Sequence, residues 1–191
     1  IRGELQQANC LVEVQTVIVN KHIIKNVIAR RSDIPPQIIL GAHYDSRLLA
    51  EHDPDLLKQQ QPVPGANDGA SGVAVLLELG RVLPSNSVPV WLVFFDAEDQ
   101  GGIPGWEDWS IGATAFVAGY SLKPKAVVIV DMVGDFDLKI PQEKQSDQRL
   151  MNEIWKVAAG LGFGQVFVPE RKYSIMDDHV PFIKSGIPAV D

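Results

Sequence analysis

Four segments of this 191-residue chain place acidic residues or a histidine where an apolar run gives out. They are Gly41-Ala-His43-Tyr-Asp45-Ser, Gly65-Ala-Asn67-Asp68-Gly-Ala-Ser-Gly72, Phe94-Phe-Asp96-Ala-Glu98-Asp99 and Val130-Asp131-Met-Val-Gly134. A carboxylate at the end of a buried strand is costly unless something compensates its charge. Repetition of that cost points to strand ends that converge on a cation. A fifth segment, Met176-Asp177-Asp178-His179, joins the set.

Each segment has a chemical and a plainer reading. His43 with Asp45 two residues on suits a metal ligand whose other ring nitrogen is held by a carboxylate. His-x-Asp alone is equally a surface histidine. Asp68 lies in a turn that opens a helix, where Asn, Asp and Ser all favour capping. The small residues around it would also let a carboxylate bridge two cations about 3.5–4 Å apart. Glu98 and Asp99 leave a very apolar run as neighbours pointing in different directions, so one can ligate while the other serves as general base. Asp131 ends the third such run. Carboxylates with imidazole and no thiolate suit zinc, with manganese or cobalt as alternatives.

The elements that must position these residues are legible from periodicity. Leu11 to Val19 alternates as a half-buried strand, with Lys25 to Arg30 as its partner. Gln37 to Ala42, Val88 to Phe95 and Ala126 to Val130 are continuous apolar runs, as central strands covered on both faces require. Ser71 to Leu83 and Asp147 to Leu161 carry apolar residues at helical spacing, and Ile111 to Gly119 and His179 to Ser185 read as shorter helices. This alternation predicts an α/β layered sheet with helices on both faces. Two stretches interrupt it. Arg47 to Pro64 is polar and holds three prolines, and Gln100 to Ser110 follows the Glu98-Asp99 pair with Trp106 and Trp109. Long loops beside a site tend to be functional. Gly69-Ala-Ser71-Gly lacks nucleophile-elbow spacing, and Gly160-Leu-Gly-Phe-Gly follows a helix, as a helix stop does.

Composition sets the outer bounds. At 46% hydrophobic residues the chain can bury one good core, so residues 1–191 are expected to form a single domain. The net charge of −7 argues against nucleic acid or an anionic membrane as partner. The single cysteine, Cys10, excludes an internal disulfide and a cysteine-built zinc site. No apolar run is long enough to span a bilayer, and Ile1 to Ala8 reads as a helical turn rather than a signal peptide.

Taken together, the five segments resemble, in the family's order, the M28 family of zinc-dependent peptidases, which includes aminopeptidases and glutaminyl cyclases. The resemblance implies a zinc exopeptidase-like α/β fold: a three-layer sandwich with a mostly parallel, mixed central sheet and helices on both faces. By the same resemblance His43 and Asp131 are ligands of one zinc, Asp68 is the bridging carboxylate, and Asp99 is a ligand of a second zinc. Glu98 is the general base and Asp45 orients His43. Asp178 would contact substrate, and Trp106 and Trp109 would wall the pocket for the first side chain. The implied function is a zinc metallopeptidase of the aminopeptidase type, acting on peptides with a free N-terminus. The alternatives are a glutaminyl-peptide cyclotransferase, with one zinc instead of two, and an inactive peptide-binding domain of the same fold. Asp99 stands where the family more often has Glu, and Gly69 where cyclases tend to carry serine. The family's last zinc ligand, a histidine, lies beyond the Gly186-Ile-Pro-Ala-Val run, so the natural chain is expected to continue past Asp191 with a further strand and helix. Family habit implies a soluble protein that is secreted or extracytoplasmic.

Overall fold

The computed structural model describes residues 1–84 and 88–191. In chain order the elements are α1 (Arg2–Gln7), β1 (Leu11–Val19), β2 (His22–Arg30), β3 (Ile38–His43), α2 (Ala70–Val82), β4 (Val90–Phe95) and α3 (Ile111–Gly119). They continue with β5 (Ala126–Ile129), β6 (Ile140–Gln142), α4 (Gln148–Gly160), β7 (Phe167–Arg171), α5 (His179–Lys184) and β8 (Ala189–Val190). Among the described residues the main sheet has six strands in the order β1-β2-β4-β3-β5-β8. The β1–β2 and β2–β4 pairs are antiparallel, whereas β4–β3, β3–β5 and β5–β8 are parallel. This is the mostly parallel, mixed sheet that the sequence implies.

The apolar runs of β3, β4 and β5 are continuous because both faces of each strand are covered. On one face Ile39, Val93, Phe95, Val127 and Ile129 pack against Phe116 of α3 and Phe182 of α5. On the other, Ala42, Leu92 and Phe94 meet Leu5 of α1 and Leu76 of α2, while Val128 and Val190 meet Met151 and Trp155 of α4. The side chains of Phe94, Phe95, Phe116 and Phe182 are all essentially buried, each contributing roughly 1.5–3 kcal/mol from the area removed from water.

Two local features fix where the site lies. Strands β3 and β4 are joined through α2 on one face, and β4 and β5 through α3 on the other. Connections that leave to opposite faces open a crevice at the carboxyl ends of the strands, where α/β sheets bind ligands. In addition, Gly72 in the first turn of α2 lies so close to β5 that a Cβ there would be 1.9 Å from the Val130 carbonyl oxygen. Only glycine permits that approach, which brings the turn before α2 against the end of β5.

Element bounds agree with the periodicity to within two or three residues, the largest difference being β2, which begins at His22. The turn Asn20-Lys21 joins it to β1, with both residues in the left-handed region (φ 48° and 73°) and Val19 opposite His22. That is the backbone of a two-residue type I′ hairpin turn. The second sheet, β6 parallel to β7 with α4 between them, is unforeseen from the sequence. Its strands are short, contain Pro141 and Pro169, and show no alternation. Helix α4 itself starts as the sequence suggests, with Asp147 Oδ1 accepting from Leu150 N at 2.8 Å.

Candidate metal centre

Strand β3 ends on His43, whose side chain is 1% exposed at the mouth of the crevice. Its Nε2 lies 3.0 Å from Asp68 Oδ1 and 3.1 Å from Asp131 Oδ1. Ligand atoms of these three residues all lie within 4.8 Å of one another. Burial alone would lower the imidazole pKa, but Asp131, Asp45 and Asp68 outweigh it and raise the value far above the ordinary range. These carboxylates therefore favour positive charge at the point between Asp68 and Asp131. One imidazole nitrogen and two carboxylate oxygens form a donor set that fits zinc and leaves a coordination position open.

Asp68 does not cap α2. The cap position is Gly69 and there is no side-chain cap, so the capping alternative fails because the carboxylate is turned towards His43. The turn is held by other groups. Ser71 Oγ donates to Asn67 O and accepts from Val133 N, and Asn67 bonds Gly134 N and Asp135. Gly69 N also donates to Asp131 Oδ1 at 3.3 Å. Together these contacts stitch the Asp68 turn to the Asp131 turn.

Asp45 lies 3.5 Å from His43 Nδ1, an ionic contact longer than a hydrogen bond. Its hydrogen bonds go elsewhere. Oδ1 accepts from Glu98 N at 3.0 Å, and Oδ2 from Asp99 N at 3.2 Å and Gln100 Nε2 at 2.7 Å. Burial would raise the Asp45 pKa, but His43 and these donors hold it below the usual carboxylate range. Asp45 therefore fixes the turn that carries the predicted base as well as facing the histidine.

Glu98 is buried, with Ala97 before it in the left-handed region (φ 54°) and Ser110 Oγ 3.4 Å from its Oε1. Burial, then Asp177 and Asp178, push its carboxyl up to about 11. Asp178 is 0% exposed, and neither of its carboxylate oxygens has a hydrogen-bond partner among the described residues. Its pKa is raised by burial and then by Asp177, which is itself pushed up to about 6 by burial and then by Asp131. Burial and mutual repulsion thus bias all three carboxyls towards their protonated forms.

Asp99 lies outside the three-residue group. Its Oδ1 is 3.3 Å from Arg47 Nη1, and burial followed by the charge of Asp68 pushes it up to about 6. The two tryptophans divide. Trp106 stacks on His22 with centroids 3.6 Å apart and packs with Ile24, Ala97 and Ile111. Trp109 is 41% exposed with the Arg47 guanidinium 4.9 Å above its ring. Sequence reasoning missed Arg47 and Gln100, although each directly follows a motif segment. It also missed Glu143, buried among the N–H groups of Gln145, Ser146 and Ile175 and 3.3 Å from His179 Nε2. That carboxylate anchors the segment leading to Asp177 and Asp178, and no sequence signal marks it.

Residues 26–191 match peptidase family M28, and the chain belongs to that family. It is similar to a Zn-dependent exopeptidase of Parabacteroides distasonis (29% identity, TM-score 0.89) and to a glutaminyl cyclase of Porphyromonas gingivalis (33% identity, TM-score 0.88). Each alignment covers 99% of this chain, and 72% and 71% of those chains respectively. The Escherichia coli K12 protein YfbL is 37% identical over 117 residues, which are 59% of this chain and 33% of YfbL. The matched part thus spans about a third of that relative's length. No described helix is long and apolar enough to cross a membrane.

Proposed function

We propose that this chain carries the catalytic core of a zinc-dependent glutaminyl-peptide cyclotransferase, converting an N-terminal glutamine to pyroglutamate with release of ammonia. The observation that carries this reading is Asp178, fully buried beside Glu98 with neither carboxyl oxygen hydrogen-bonded among the described residues. A buried carboxyl without partners calls for polar groups from a ligand. An N-terminal glutamine brings two sets of N–H donors, on its α-amine and on its side-chain amide. Similarity across nearly the whole chain to the Porphyromonas cyclase supports the same reading.

His43, Asp68 and Asp131 would hold the zinc, with Asp99 beside Asp68 as a further ligand. Bound there, zinc supplies a Lewis acid that polarises the side-chain carbonyl of the substrate. Everything else falls to the chain's own residues. The neutral α-amine attacks that carbonyl carbon to form the ring C–N bond, and Glu98, as the carboxylate that a neighbouring dication would favour, accepts the amine proton. The same carboxyl returns the proton to the amide nitrogen, the old C–N bond breaks, and ammonia leaves. Burial and the charges of Asp177 and Asp178 favour protonated Glu98, which suits it to hold the amine's proton between the two transfers. Trp109, exposed on the loop behind Glu98, covers the substrate side chain.

The aminopeptidase reading stands second, favoured by the four carboxylate and imidazole ligands that a pair of cations would use. Incubating the zinc-loaded, full-length protein with Gln-initiated and Leu-initiated peptides separates them. The cyclotransferase releases ammonia from the first and leaves the second intact. Release of free leucine would reverse the order of the two readings, and inertness toward both peptides would favour a binding domain.

A further inference from the structure

Arg47 lies between the predicted metal ligand Asp99 and the exposed ring of Trp109, and its guanidinium is fully engaged. Nη1 donates to both Asp99 O (2.9 Å) and Asp99 Oδ1 (3.3 Å), and Nη2 donates to Gly101 O (3.2 Å). Nε and Nη2 clasp Glu51 on the far side. The guanidinium carbon lies over the Trp109 ring, 4.9 Å from its centroid. Trp109 in turn covers Gly101 face-on: a Cβ at Gly101 would be 2.3–2.4 Å from three atoms of the indole. The next residue, Ser110, touches Glu98.

We infer, on the reading of this crevice as a metal site, that Arg47 is a positioning residue that ties the carboxylate of Asp99 to the indole of Trp109. Filling of the metal site and setting of the substrate wall then change together. Planarity is what makes this work. A guanidinium presents its donors in one plane towards the carboxylate and the carbonyls while its face stays free for an aromatic ring. A lysine can neutralise Asp99 but cannot hold all of these partners at once. Groups that orient a metal ligand from behind commonly govern affinity for the metal. Here the group behind the ligand is also the group beneath the tryptophan.

The test uses the full-length protein stripped of metal and titrated with zinc sulfate against a competing chelator, with tryptophan emission followed throughout. In the wild-type protein the emission changes as zinc binds, and W109F abolishes the change, which assigns it to Trp109. R47M weakens zinc by about 10–100-fold and leaves Trp109 emission unresponsive even at saturating zinc. R47K falls between, restoring charge without the fork. Loss of the indole loosens the guanidinium it packs on, so W109F weakens zinc as well, by about fivefold, and R47M/W109F is no weaker than R47M. Wild-type emission indifferent to zinc overturns the inference, as does an R47M protein that keeps the Trp109 response. Unchanged zinc affinity in W109F overturns it too, and because that loop position is exposed, the W109F titration decides the matter even where R47M does not fold. These readouts do not depend on which product is released, so they stand apart from the test of the cyclotransferase reading.

Discussion

Glu98 carries two opposed demands. Its folded-state pKa is raised from 4.5 to about 11, through burial and then through Asp177 and Asp178. A raised acid favours the folded state while protonated, so its contribution is full below 4.5 and is lost as pH rises towards about 11. Metal-free protein should therefore lose thermal stability through the neutral range, and Glu98→Gln should flatten that loss and melt higher than wild type at pH 8. The same substitution should lower turnover about 10²–10⁴-fold with zinc content retained, which metal analysis beside kinetics would check. Glu143 behaves in the opposite sense. Burial would raise its pKa, but the N–H groups of Gln145, Ile175 and Ser146 hold it low. Its stabilisation is present above the ordinary glutamate range and is lost as pH falls through its depressed folded value. Glu143→Gln should cost about 2–3 kcal/mol near neutral pH and blunt the acid limb of the melting profile. At this scale the sequence disclosed the candidates that end an apolar run, His43, Glu98 and Asp131, and Asp68 in its glycine-rich turn. It hid those whose role depends on who faces them. Asp99 as a partner of Arg47, Trp106 as a partner of His22 and Glu143 among backbone amides are all encounters that only the folded chain brings about.

Among the elements, the long apolar runs and the amphipathic helices were legible because both faces of β3, β4 and β5 are covered and helical spacing is strong. The β6–β7 pair was not, since three to five residues with a proline carry too little pattern to separate strand from loop. Two substitutions probe how the elements hold the crevice. Gly72→Ala puts a methyl group 1.9 Å from Val130 O and should separate α2 from β5. The loss should be more than about 3 kcal/mol, since overpacking costs typically 1–3 and backbone cannot yield as side chains do. Chemical denaturation would measure it, and a mild effect would show that the two elements are free to part. Lys21→Gly relieves a left-handed residue in the type I′ turn of the β1–β2 hairpin and should stabilise by about 0.5–1 kcal/mol. That hairpin holds the Gln100–Ser110 loop through the stacking of His22 on Trp106, so the same variant should slow proteolysis within the loop.

For the molecule as a whole, the site is a seam where the ends of three parallel strands and two turns meet, and its negative charge is concentrated at that seam. A cation held there would therefore be a structural ligand as well as a reagent. Zinc at a thousandfold excess over its dissociation constant should add about 4 kcal/mol of stability. Chelation should remove it, and Asp131→Asn should leave melting indifferent to zinc. Beyond the strand ends, the acid pair Asp177-Asp178 is delivered by a segment anchored at depth by the Glu143 carboxylate. This has a consequence for hydrogen exchange. The amide protons of Gln145, Ser146 and Ile175 lie in irregular chain yet point at one buried anion, so they should exchange with deuterium as slowly as amides of the central strands. Because all three depend on the same carboxylate, they should also become labile together. Their common exchange rate would then time how often the wall bearing Asp178 swings away from Glu98.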